Sequence, residues 1–187
     1  FWFGPSGAPP LVNSTKWYTK DAAFDREIEE RFGELHALAA RGALDSWKTT
    51  PRGRLALVIL LDQFSRNMFR GTSRAFAQDA RACEIALDAI NAREGEQLTV
   101  VERTFLYMPL MHAEDVALQR KGIELFAALE GQAPEELKKY VANGLDYMKK
   151  HAEIIERFGR FPHRNETLGR ASTPEELEFL KQPGSSF

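Results

Sequence analysis

Cysteine is nearly missing from this chain. Cys83 is the only one in 187 residues, so no intrachain disulfide can form, which fits a reducing, cytoplasmic compartment. Cys83 shares a helical stripe with Phe76 and Leu87 and reads as a buried structural thiol. Long apolar stretches are missing too. The longest run, Leu55–Leu61, falls far short of the roughly 20 residues that span a membrane, and no signal peptide is visible. There is no surplus of positive charge. The 25 Lys and Arg against 27 Asp and Glu leave a net charge of −2, which argues against nucleic acid as a partner. The signatures Glu-x-x-His, His-Glu-x-x-His, Gly-x-Ser-x-Gly and the P-loop do not occur. Neither a metal nor a cofactor is therefore expected.

What is present is apolar residues, 43% of the chain, in helical order. At this length about two-thirds of the unfolded surface can be buried. Residues 4–16 read as a loop. Phe24, Ile28, Phe32, Leu35 and Leu38 then share one face of a helix that starts at Asp21 and stops near Gly42. Thr50-Pro51 opens a second helix, with a capping hydroxyl before proline at the first position. Thr72 or Ser73 is expected to cap a third, with Phe76, Cys83, Leu87 and Ile90 facing inward. Thr99 with Glu102 forms a capping box for a fourth, which Pro109 should kink or break. A fifth runs to about Leu129. Pro134 opens a long helix that Gly159 stops, and Thr173-Pro174-Glu175-Glu176 opens a short last one. Six to eight helices with short Gly-containing turns predict an all-α fold of antiparallel hairpins, stacked as a bundle or a short array. The whole of 1–187 reads as one helical domain.

Two segments draw attention for chemistry. Gln63-Phe64-Ser65-Arg66-Asn67-Met68-Phe69-Arg70-Gly71 and Arg160-Phe161-Pro162-His163-Arg164-Asn165 each join aromatic rings to a guanidinium and a neighbouring carboxamide. That donor set suits a carboxylate or a phosphate. The competing reading is structural. Arg66 follows Asp62 by four positions, a favourable helical ion pair, and Arg157 and Arg160 have Glu153 and Glu156 in the same relation. Arg164 has no such local acid. A third segment, Tyr107 to Asp115, carries His112, Glu114 and Asp115. His112 and Glu114 do not share a helix face, so a chelating pair would need a loop.

Several strings together resemble the bacterial family known as domain of unknown function 924. They are Phe1-Trp2-Phe3-Gly4, the segment from Asp62 to Thr72, Tyr107-Met108-Pro109 with His112-Ala113-Glu114-Asp115, and the segment from Arg157 to Asn165. Leu168-Gly169-Arg170 and Ser172-Thr173-Pro174-Glu175-Glu176 close the set. The resemblance implies a tetratricopeptide-like fold, a right-handed array of helix pairs. It also implies that Phe1-Trp2-Phe3 ends a helix begun upstream, the chain starting at Phe1 rather than Met. Ser65 stands where the family string leads one to expect proline.

Two functions follow as expectations. The first is a binding module for a small anionic ligand or an acidic peptide, through Arg66, Asn67, Arg70, His163, Arg164 and Asn165. The second is a hydrolase or lyase on an anionic substrate, with His112 or His163 as base, oriented by Glu114 or Asp115. A protein partner is compatible with either; a membrane is not called for.

Overall fold

The computed structural model describes residues 1–186, and Phe187 lies outside the described residues. The helices are α1 (Ser14–Tyr18), α2 (Ala22–Ala40), α3 (Pro51–Val58), α4 (Ser65–Met68), α5 (Asp79–Asn91), α6 (Val100–His112), α7 (Val116–Gln132), α8 (Glu135–Phe158) and α9 (Pro174–Leu180). A π-helical stretch, Ile59–Phe64, joins α3 to α4 in one rod. No strand occurs among the described residues, and none of the helices is long and apolar enough to cross a membrane.

Local chemistry sets most of the boundaries. The Asp21 carboxylate accepts from the backbone N–H of Ala23 and Phe24. Thr50 accepts from Gly53 N at 3.1 Å, with Pro51 at the first position of α3. Thr99 with Glu102, and Thr173 with Glu176, form reciprocal capping boxes. Gly159 ends α8 in the left-handed conformation at φ +69°.

Three expectations need correction. The first loop is shorter than 4–16, because α1 begins at Ser14. α5 begins at Asp79 rather than at Thr72 or Ser73. Ser73–Ala75 closes a single 3-10 turn without a side-chain cap, and the Thr72 hydroxyl donates back to Phe69 O. The buried face of α5 is accordingly Ala82, Cys83, Ile85, Ala86 and Ala89. Finally, of the kink or break expected at Pro109, the break does not occur, and α6 continues to His112. A proline inside a helix costs about 3 kcal/mol. Burying Leu110 and Met111 beyond it returns about 1.5–3 kcal/mol each, enough to carry the helix on.

The main core gathers α2, α3, the π stretch, α5, α6, α7 and the first half of α8. Phe105 is fully buried there and meets Trp2 and Trp17 edge-on. α7 and α8 are joined by Ala133 and Pro134 alone, so they pack as an antiparallel hairpin. A smaller cluster of Ile154, Ile155 and Phe161, with Phe158 and Phe179, holds α9 and the turn after α8 against the end of α8.

Candidate functional site

The site grows from the π stretch. A π turn takes in one extra residue and is often found where function needs a side chain re-aimed. Asp62 sits in the middle of this stretch with no exposed surface. Its carboxylate accepts from His112 Nδ1 at 2.7 Å and from Gln63 Nε2 at 2.6 Å, and pairs with Arg66, whose Nη1 lies 2.9 Å away and donates to the Asp62 backbone oxygen. Burial alone would raise its pKa, but the charge of Arg66 and the contact with His112 win, holding the carboxyl well below its usual range. An ionised carboxylate only accepts, so His112 Nδ1 must carry the hydrogen. Burial, then the charge of Arg66, pushes the pKa of His112 down. The imidazole is therefore neutral, and Nε2 is its bare nitrogen. No hydrogen bond among the described residues uses that nitrogen.

A second acid completes the cluster. Asp79, at the start of α5, takes Arg66 bidentately, at 3.0 Å on each oxygen. It also takes Nη1 of Arg164 at 3.2 Å. Arg164 is 6% exposed and lies between two rings, 4.6 Å from the centroid of Phe76 and 4.4 Å from that of Phe161. Its Nε is buried without a hydrogen-bond partner. Burial first, then the neighbouring Arg66, lowers the Arg164 pKa to about 10.

The remaining residues singled out in the sequence fall into other groups. Asn67 Nδ2 and the Arg70 guanidinium both bind Asp25, at 2.7 and 2.9 Å, tying α4 to α2. Glu114 takes Arg170 at 2.6 and 2.9 Å and the backbone N–H of Phe161 at 2.8 Å. Asn165 bridges Ser172, Glu176 and Arg170. Asp115 caps α7 by accepting from Leu118 N. His163 packs on Phe161 with centroids 5.6 Å apart, and burial lowers its pKa to about 4. It lines, with Glu166, Arg170 and Ser172, a cavity of about 580 Å³.

So Arg66, Arg164 and His112 converge, while Asn67 and Arg70 stand apart. The local pair of Arg66 with Asp62 is present. The acid that orients His112 is Asp62, not Glu114 or Asp115. α6 ends at His112 and Ala113 is extended, which turns the next two residues to other partners. Arg157 and Arg160 likewise pair with Glu175 and Glu176, not with Glu153 and Glu156, because α9 folds back beside the end of α8. Sequence reading gave no weight to Asp79. A signal for Asp62 was there: charge and amide, Asp62-Gln63, directly after seven apolar residues. No group of three or more His, Cys, Asp or Glu among the described residues could hold a metal ion.

Comparison with known proteins places the chain among relatives. The family model described as bacterial protein of unknown function (DUF924) matches residues 1–184. A solved structure of a protein of unknown function from Agrobacterium tumefaciens is 41% identical, with 89% of each chain covered and a TM-score of 0.80. No curated protein matches.

Proposed function

We propose that this chain, which belongs to the bacterial family of unknown function 924, is a binding module for a small carboxylate- or phosphate-bearing ligand, or an acidic peptide end, held at Arg164 beside His112. The observation that carries this is the under-use of Arg164. It is buried and clamped between two rings, yet it gives one 3.2 Å bond and leaves Nε without an acceptor. An unmet buried donor costs about 1–3 kcal/mol, more when charged, and a ligand oxyanion removes that cost. Arg66 is fully engaged by Asp62 and Asp79 and serves to fix both acids. Two arginines and two aspartates balance in this cluster. An incoming anion leaves one negative charge over, which a proton on His112 offsets, so affinity should rise as pH falls. Stacked hairpins are compatible with a tetratricopeptide-like array, and the buried lone Cys83 accords with the cytoplasm.

The test is thermal stabilisation by inorganic phosphate and by benzoate, in the wild type and in Arg164→Ala. The expected result is a saturable rise in Tm for the wild type that the variant lacks. No rise for the wild type with either probe, together with a large fall in Tm for the variant, assigns Arg164 to structure alone.

A second function has its own observation. The Asp62–His112 contact at 2.7 Å is the arrangement of an oriented general base, with Nε2 as the working nitrogen, which supports a hydrolase or lyase. Imidazole 15N shifts should show Nδ1 protonated and Nε2 bare at neutral pH. A protonated Nε2 removes the base.

A further inference from the structure

A different cavity, of about 350 Å³, opens where the C-terminal end of α2 meets the turn between α4 and α5. Its polar lining is His36, Arg41, Arg74 and Gln78, and Phe69 heads its apolar side. No carboxylate lines it. That is unusual in this molecule, where Arg66, Arg70, Arg160 and Arg170 each rest on an acid. Neither Arg41 nor Arg74 has a carboxylate partner among the described residues. Arg74 is nonetheless held, with its guanidinium 3.7 Å from the centroid of Phe69.

The buried wall of the cavity is His36, 7% exposed. Its Nε2 lies 2.8 Å from the hydroxyl of Ser65. That hydroxyl gives its own proton to Leu61 O at 2.5 Å, so Ser65 accepts and His36 Nε2 carries the hydrogen. Nδ1 makes no hydrogen bond among the described residues. Gln78 precedes α5 and makes no side-chain cap, which leaves its amide available. Three carbonyls of the last turn of α2, which would repel an anion, are taken: Ala37 O by Arg41 N, Leu38 O by Ala43 N, and Ala39 O by Gly42 N and Arg81.

We propose that this cavity binds a small organic anion, a carboxylate or phosphate on a short apolar body, through the guanidinium groups of Arg41 and Arg74 and the amide of Gln78. Ala37, Ala40, Ala77 and Phe69 supply the apolar surface. The site shares no residue with the Arg164 cluster and stands or falls separately.

The experiment is an NMR titration with benzoate and with phenyl phosphate, following His36 and the Gln78 side-chain amide. Both arginines are exposed, so the double variant Arg41→Gln, Arg74→Gln should keep its fold and a dispersed spectrum. Saturable shifts at His36 and Gln78 are expected in the wild type and equally in Arg164→Ala. The double variant should weaken binding by about tenfold or more, since one charge-assisted contact is already worth about that much and the variant removes two. No saturable shift with either probe, or shifts that survive in the double variant, would overturn the proposal.

Discussion

Arg164 and Asp79 stand 85 positions apart in the chain, and Nη1 of the arginine lies 3.2 Å from Oδ2 of the aspartate. The same carboxylate also receives both terminal nitrogens of Arg66. One acid at the start of α5 therefore joins the rod that carries the π stretch to the turn that follows α8. The two guanidinium groups tolerate each other because Asp62 supplies a second negative charge from beneath Arg66.

Asp79→Asn tests how much of the fold hangs on that junction. The change keeps the shape and removes the charge, leaving Arg66 with Asp62 alone and the buried Arg164 against an amide. Removing one partner of a buried pair costs about 3–5 kcal/mol. The midpoint of urea unfolding should fall accordingly, with m unchanged. A loss under about 1 kcal/mol, the range of exposed pairs, would mean that water already serves these arginines.

Acid should weaken the fold earlier than carboxylates alone would require. All of the 4 histidines have lowered pKa values. Burial, then the neighbouring His112, brings His151 to about 3, and burial, then Arg164, brings His163 to about 4. The unfolded chain binds protons from near pH 6.5 while the folded chain refuses them, so stability falls as pH drops through that window. Each histidine held neutral adds a slope of about 1.4 kcal/mol per pH unit between its two pKa values. Tm measured from pH 7 to pH 5 should decline steadily, and less steeply in His151→Gln. A flat profile over that range contradicts burial of these rings as neutral species.

Much of this fold was legible because it is written locally. Thr50-Pro51, Thr99 with Glu102, Thr173 with Glu176 and Gly159 each act within one turn, and each stands where the sequence puts it. The failures share a cause in tertiary structure. In the sequence a hydroxyl, Thr72 or Ser73, marks the start of the third helix, yet α5 begins at Asp79, whose carboxylate is drawn to two arginines from distant segments. Spacing along one helix gave Glu153 and Glu156 to Arg157 and Arg160, while α9 brings Glu175 and Glu176 closer. The sequence singles out His112 but not the acid that holds it, since only the π stretch and the buried α6 bring Asp62 to its Nδ1.

Glycine substitutions should rank by what a new methyl group would strike. At Gly53 it meets the backbone oxygen of Trp47, which cannot give way cheaply. At Gly144 it would lie 2.7 Å from Cε1 of Phe126, a ring buried in the core. At Gly122 it meets the tip of Met148, a flexible side chain that can turn aside. Overpacking costs about 1–3 kcal/mol, and alanine regains up to about 1 kcal/mol of helix propensity. Gly53→Ala should therefore destabilise most, Gly144→Ala next, and Gly122→Ala least. Chemical denaturation of the three variants gives the order, and a reversal between Gly53 and Gly122 would refute the packing described here.

Glu176 links the last helix to the Arg164 segment, and its charge can be tested at a distance from the cluster. It is 2% exposed and accepts from Arg160 at 2.7 and 2.8 Å, from Thr173 N at 2.7 Å and from Asn165 at 3.3 Å. The pairing with Arg160 lowers its pKa to about 2. A carboxylate with a depressed pKa contributes its full stability above the unfolded value, about 4.3, and loses it as pH falls through the folded one. Glu176→Gln should thus lower stability at pH 7, and the gap to wild type should close between pH 4 and about 2. Asn165 adjoins Arg164, so freeing α9 should also speed hydrogen exchange in α9 and blunt the ligand effect without altering any group at Arg164. An unchanged acid limb, with α9 protected as before, would show that apolar contacts of Phe158 and Phe179 dock this helix and that the Glu176 charge does not.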